Sequence, residues 1–328
     1  MAWLYLAAFV AGLILLEVGA DWFTDHAREL AERAGVSETL AGLLTVGIEW
    51  EELVVVLVAV LTGRPAIAAG DVIGSCVANL GGSLGAGLLA RPVRVGRDER
   101  RISWVMLGIT ALVAAGAWLN GGVVSRPGGM FLVALFIVYL AALMWLFRRG
   151  LLHTVLRKKD DDDSGGDDKS GASARTWQGV ARSFLAALGG LALVIGGAGL
   201  VLRGAVGLAH AWGLSEFVVG LTLVALGTTL PDTVVNVIAA RKGSGGLVLA
   251  NAVGSNICNL SFSLGVAASV APLMLNGSTL TFDLVFLVGV TLLVVVVLRQ
   301  PRLERVDGIV LLVLYGFYLV FHLALKAP

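Results

Sequence analysis

Residues 227–259 read GTTLPDTVVNVIAARKGSGGLVLANAVGSNICN, and the reading of this stretch decides the fold. Asp232 falls in a run apolar enough to lie in a bilayer, where a carboxylate is costly and marks a functional site by default. Pro231 beside it removes a backbone hydrogen bond from a helix and kinks it. Thr228 and Thr229 precede Asp232 by four and three residues, so on a helical path the three share a face. Downstream, Gly254-Ser255-Asn256 and Asn259 put small residues and side-chain oxygens on a second helix. Two such helices facing each other assemble hydroxyls, amide carbonyls and a carboxylate into an oxygen-only cage. Hard cations such as Na+ and Ca2+ require that donor set.

The two motifs, in this order and at this spacing, resemble the second α-repeat of the calcium/cation antiporter superfamily, the sodium/calcium exchangers and their relatives. There the usual pattern is Gly-Thr-Ser-x-Pro-Glu, then Gly-Asn-x-x-Gly-Ser-Asn-x-x-Asn/Asp. The chain departs mildly, with Asp for Glu at Asp232, Thr for Ser at Thr229 and Ala for Gly at Ala250.

The remainder of the chain suits a membrane. Hydrophobic residues make up 57% and charged residues 14%, with a mean hydropathy of +0.89. A soluble domain carries about 25% charged residues, so the composition is that of a polytopic membrane protein. The net charge of +1 and the dispersed basic residues give no nucleic-acid signature. Cys76 and Cys258 both fall in apolar segments and read as buried free thiols rather than a disulfide framework. The first apolar run lacks a basic n-region and reads as a mature transmembrane helix, not a signal peptide.

Ten segments of spanning length follow: about 3–23, 39–62, 66–90, 102–120, 128–147, 179–201, 217–240, 246–270, 280–298 and 306–325. Between the fifth and sixth, the tract from Arg157 to Asp168 is polar and holds a run of aspartates with Ser and Gly. It cannot bury a core and reads as a disordered linker. The expected layout is a first repeat at 1–150, a cytoplasmic acidic linker at 151–177 and a second repeat at 178–328. With the N-terminus outside, twenty Lys and Arg fall on the cytoplasmic side and four outside, Arg64, Arg126, Arg203 and Lys326. Both termini then face out.

The halves repeat. Gly19-Ala20-Asp21 and Gly35-Val36-Ser37-Glu38 match Gly197-Ala198-Gly199 and Gly213-Leu214-Ser215-Glu216 at an offset of 178. Gly70-Asp71, Gly74-Ser75 and Asn79 match Ala250-Asn251, Gly254-Ser255 and Asn259 at an offset of 180. Five helices per repeat is an odd number, so the second repeat is inverted relative to the first. Inverted repeats with interrupted helices meeting near the midplane are a secondary-transporter signature. The expected fold is all-α, ten transmembrane helices in two inverted five-helix repeats.

The first repeat departs most from the family. Where Gly-Thr-Ser-x-Pro-Glu is expected it has Gly47-Ile48-Glu49-Trp50-Glu51-Glu52. In one register Glu52 takes the central acidic position and Glu49 replaces the hydroxyl; in the other Glu51 faces the site. Asp71 either ligates or serves a helix start. Glu17 and Asp21, four apart on the first helix, either line an ion path or mark a wet helix end.

The resemblance implies a secondary active cation antiporter, not an enzyme, that exchanges Ca2+ or a related cation for Na+ by alternating access. The first and sixth helices would slide past the rest. Expected metal-binding residues are Glu52, Asp232, Thr228, Thr229, Ser75, Asn79, Ser255, Asn259 and Glu49, with no catalytic residue and no cofactor. The expected location is the plasma membrane, with the lipid bilayer and the transported cations as partners, no nucleic acid, and the oligomeric state left open. No nucleotide motif suggests ATP-driven pumping. Glu49 and Glu52 share a helical face, and Asp232 approaches them from the other half. Carboxylates crowded out of water compete for protons as well as cations, which keeps a cation/proton exchanger as an alternative. A degenerate, non-transporting cation sensor or scaffold is the rival from another class.

Overall fold

Apolar runs of spanning length can satisfy their backbone in lipid only within themselves, so the chain folds into helices. The computed structural model describes residues 2–33, 49–149, 177–275 and 280–324. Its helices are α1 (Ala2–Arg33), α2 (Trp50–Leu61), α3 (Pro65–Ala90), α4 (Arg97–Leu119), α5 (Arg126–Arg148), α6 (Trp177–Trp212), α7 (Glu216–Arg241), α8 (Gly245–Val270), α9 (Leu280–Val297) and α10 (Arg305–Ala324). Among the described residues eight of these are long and apolar enough to cross a membrane, and α2 and α9 are shorter. The acidic linker tract, Gly35–Glu38 and Gly47–Ile48 lie outside the described residues.

Among the described residues four two-residue strands tie the loops: β1 (Val93–Arg94), β2 (Val123–Val124), β3 (Leu273–Met274) and β4 (Arg302–Leu303). β1 pairs antiparallel with β4 beside the start of α4, and β2 with β3 beside its end. Each pair joins the first half of the chain to the second.

Equivalent turns end α2 and α7. Gly63 (φ 76°) and Gly243 (φ 84°) sit in the left-handed region that favours glycine. The next residue donates back in each case, Arg64 N–H to Ala59 O at 2.7 Å and Ser244 N–H to Ala239 O at 2.8 Å. This six-residue closure satisfies helix-end carbonyls. Pro65 then opens α3, where its missing N–H costs nothing.

Helices α3 and α8 are innermost, with 83% and 72% of their apolar windows buried, against 22% for α1 and 17% for α5. Small residues permit the close crossings. A Cβ at Gly70 or Gly74 of α3 would collide with Phe217 O or Leu221 O of α7, and one at Gly220 with Ile67 O. On the outer pair, Gly12 and Gly19 of α1 interlock with Gly197 and Gly190 of α6. Helix α6 lies along α2, whereas α1 meets α7 at few positions, among them Leu13 against Gly227.

The interruptions expected near the midplane take a milder form. Helices α3, α7 and α8 are continuous but widen into π turns at Ala78–Ser83, Gly220–Val224 and Asn259–Ser263. Such turns concentrate at functional sites. Residues Ala225–Arg241 are one helix with Pro231 inside it, so the backbone hydrogen bond the proline forgoes does not end the helix. Contacts on both sides, Leu13 with Gly227 and Ser83 with Asn236, hold the helix through it.

Candidate cation site

Helix α2 begins at Trp50, which places Glu49 at its N-cap and Glu51 and Glu52 in its first turn. Carboxylates are favoured there by the helix dipole. The Trp50 ring meets Phe23 of α1 edge-on, with centroids 5.2 Å apart, and braces this start. Glu52 is 3% exposed. Ser75 of α3, Asn259 of α8, Glu49 and Asp232 lie around it. Both carboxylate oxygens of Glu49 are buried without a hydrogen-bond donor, and Asp232 lies near Glu49 and near Asn251 of α8.

The inner helices supply oxygens at four-residue steps, which a helix brings onto one face. On α3 these are Asp71, Ser75, Asn79 and Ser83, all buried. On α8 they are Asn251, Ser255, Asn259 and Ser263. Ser75 Oγ donates to Asp71 Oδ1 at 3.5 Å and meets Thr228 Oγ1 of α7 at 3.4 Å. Thr228 Oγ1 is also 3.2 Å from Val224 O, to which it can donate while its lone pairs stay available. Thr229 Oγ1 and Asp71 Oδ2 are buried without a partner.

Buried polar groups are ordinarily paired, and buried carboxylates doubly so. The unpaired carboxylate oxygens of Glu49 and Asp71 near Glu52 fit a site completed by a cation, and the amide nitrogens of Asn79 and Asn259 are unpaired there too. No group of three His, Cys, Asp or Glu among the described residues is arranged as a metal centre on its own. A cation held there would need hydroxyl and amide oxygens to complete its coordination shell, as hard cations allow.

The structure brings Glu49, Glu52, Ser75, Asn259, Asp232 and Thr228 into one neighbourhood, with Thr229, Asn79 and Ser255 on the same helices. Glu52, not Glu51, reaches Ser75 and Asn259. Glu51 lies toward Asp232 and Glu17, and Glu17 in turn faces Asp21 and Asp232. Asp71 lies two turns inside α3, so a helix-start role does not apply. The sequence reading missed Ser83, Ser263, Asn236, the Asn251 contact and the Cys258 thiol beside Glu49 and Glu52. Extending the four-residue steps of the two motifs by one turn would have found Ser83, Ser263 and Asn236.

The sequence model of the family described as "Sodium/calcium exchanger protein" matches residues 4–145 and 182–324. An uncharacterized membrane protein of Methanocaldococcus jannaschii, MJ0091, is 31% identical over 309 residues, covering 94% of each chain. The sodium/calcium exchanger MaX1 of Methanosarcina acetivorans is 29% identical, covering 94% of this chain and 95% of its own. A structure of the sodium-calcium exchanger NCX_Mj soaked with 10 mM Na+ and 10 mM Sr2+ superposes with a TM-score of 0.63 at 30% identity, covering 98% of this chain and 99% of that one.

Proposed function

The chain belongs to the sodium/calcium exchanger family, and from that premise we propose that it is a secondary active antiporter exchanging Ca2+, or a related divalent cation, for Na+. The observation that carries this reading is the meeting of buried Glu52 and Glu49 and half-buried Asp232 with the Ser75, Thr228 and Asn259 side chains. Glu52 and Asp232 supply charge, Glu49 adds to it, and Thr228, Thr229, Ser75, Ser255, Asn79 and Asn259 supply neutral oxygens. Na+ and Ca2+ compete for overlapping oxygens, so each displaces the other. NCX_Mj structures soaked with Na+ and with Ca2+ or Sr2+ support taking these ions as cargo.

The architecture of the proposal is ten transmembrane helices in two inverted five-helix repeats, 1–150 and 178–328, joined by a cytoplasmic linker at 151–177. Matching glycine turns at Gly63 and Gly243, π turns in α3 and α8, and the reciprocal strand pairs support it. The protein sits in the plasma membrane with both termini outside. The closely interlocked α1 and α6 move together past the other helices and expose the site to each side in turn. A proton-coupled exchange is the second reading, favoured by the third carboxylate, Glu49.

Everted vesicles loaded with 45Ca2+ and a pH dye test this directly. Exchange driven by an imposed Na+ gradient is the expected result. Flux driven by a pH gradient alone would move the protein to the proton-coupled reading, and no flux under either gradient would leave a sensor. A cysteine placed between residues 160 and 175 should be labelled only from the cytoplasmic side, and labelling in intact cells would overturn the topology.

A further inference from the structure

One turn beyond Asp232 on α7 stands Asn236, and one turn beyond Asn79 on α3 stands Ser83. Both are buried, at 0% and 1% exposure. Asn236 Nδ2 donates to Ser83 Oγ at 2.8 Å. This bond fixes the amide plane and leaves Asn236 Oδ1 as a buried acceptor with no donor. An amide buried solely to join two helices would gain most by using both ends. The neighbouring backbone is also irregular, because Ser83 closes the π turn of α3 and Leu84 N–H bonds Asn79 O. The return from five-residue to four-residue bonding leaves one carbonyl of the turn without its usual donor.

The feature belongs to one half only. At an offset of 180 the counterpart of Asn236 is Val56, and that of Ser83 is Ser263, whose hydroxyl turns instead to Asn259 Oδ1 at 3.5 Å. General packing needs of the fold are therefore met elsewhere without an amide at this place.

We propose that Asn236 Oδ1, oriented by Ser83, is a ligand of an accessory station for a monovalent cation, between α3 and α7 on the side of Asp232 toward Arg91 and Arg241. This rests on the exchanger reading above and extends it. The station has no carboxylate of its own, and Asp232 lies about 6 Å along the helix axis. Neutral side-chain and backbone oxygens suffice for Na+, as at the irregular helices of Na+-coupled transporters. They do not repay the dehydration of Ca2+, which binds six to eight oxygens, several of them charged. The station thus selects Na+ over Ca2+ on one arm of the route, while the central cage accepts both. Asn236 is the ligand and Ser83 the positioning residue.

Binding of 22Na+ without Ca2+, and of 45Ca2+ without Na+, should be measured on the purified full-length protein, wild type, Asn236→Val and Asn236→Asp. Asn236→Val copies the residue at the equivalent place in α2. The expected result is a rise of about tenfold in half-saturating Na+, or loss of one bound Na+, with Ca2+ affinity held within about twofold. Asn236→Asp keeps an oxygen and adds charge, so it should retain the Na+ and gain a second Ca2+-binding step. If Asn236→Val does not fold, Asn236→Asp alone decides: isotherms identical to wild type for both ions overturn the station. A parallel loss of Na+ and Ca2+ binding in folded Asn236→Val, or no loss of either, overturns it too and returns the pair to helix packing. Wild-type protein that binds Na+ at a station sensitive to Asn236→Val, yet never drives Ca2+ flux with Na+, would refute the exchanger reading and leave the station standing.

Discussion

Helices α2 and α7 hold equivalent places in the two halves, each carrying an acidic residue, Glu52 or Asp232, yet their surroundings differ. Helix α2 is enclosed: Leu53, Val54, Val55, Val56, Ala59 and Val60 are all buried. Helix α7 buries Gly227, Thr228, Thr229 and Asn236 on one face and leaves Leu230, Val234, Val235 and Ile238 about half exposed on the other. The difference follows from the outer pair, since α6 covers α2 while α1 touches α7 only sparingly. Glu52 is consequently sealed among Ser75 and Asn259, and Asp232 is only half-buried. Two halves related in sequence need not be in the same state at the same moment. For an antiporter, this inequality is what the outer helices would reverse.

The largest expected effect breaks the charge on either side. Glu52→Gln and Asp232→Asn should each reduce Na+-driven Ca2+ flux by more than about a hundredfold while the protein still folds. Glu51→Gln should stay within about threefold of wild type. A reversed order for the two glutamates would show that the first half is in the other register.

Locking the outer pair comes next. Paired cysteines at Leu13→Cys and Gly227→Cys lie where α1 meets α7, and their oxidation should stop exchange by at least about tenfold until a reductant is added. Full activity of the crosslinked protein would mean that α1 does not move against α7.

The two halves can then be made more alike. Glu49→Ser gives α2 a hydroxyl close to the place Thr229 occupies in α7. Coulomb attraction scales with ion charge, so Ca2+ affinity should fall by about tenfold and Na+ affinity by about threefold. Equal losses, read from equilibrium binding, would mean that Glu49 acts through shape instead.

Smaller effects are expected at the edges of the cage. Asp71→Asn matches α3 to Asn251 of α8 and removes a buried charge whose hydroxyl contact is a long 3.5 Å. The melting temperature should hold or rise, with Ca2+ affinity changed by about twofold. A marked loss of Ca2+ binding would make Asp71 a direct ligand. Smallest of all, Arg64→Ala removes the ion pair from Arg64 to Glu216, whose side chains are 41% and 24% exposed, and should cost no more than about 1 kcal/mol of stability.

What was legible beforehand was local. Gly-Thr-Thr-x-Pro-Asp, Gly-Ser-Asn and the partner motif of the first half are short-range patterns, and a helix converts their three- and four-residue spacing into one polar face. That was enough to put Ser75 with Asn79, and Ser255 with Asn259, at four-residue steps on their helices and to single out Asp232. It was not enough to see that Asn236 reaches Ser83 on another helix, or that Trp50, with no account in the motif, seats against Phe23.

By itself the sequence determined that the chain is a helical membrane protein with oxygen donors at its centre. Run length and composition settle the first, because lipid leaves the backbone no other partner than its own helix. Only the tertiary structure showed which glutamate lies nearer Ser75 and Asn259, that the helix continues through Pro231, and that α2 is covered where α7 is open. Those depend on how helices distant in the chain lie against one another. Glu51 and Glu52 differ by about 100° around a helix, and only the neighbours, Ser75 and Asn259 on one side and Glu17 on the other, distinguish them.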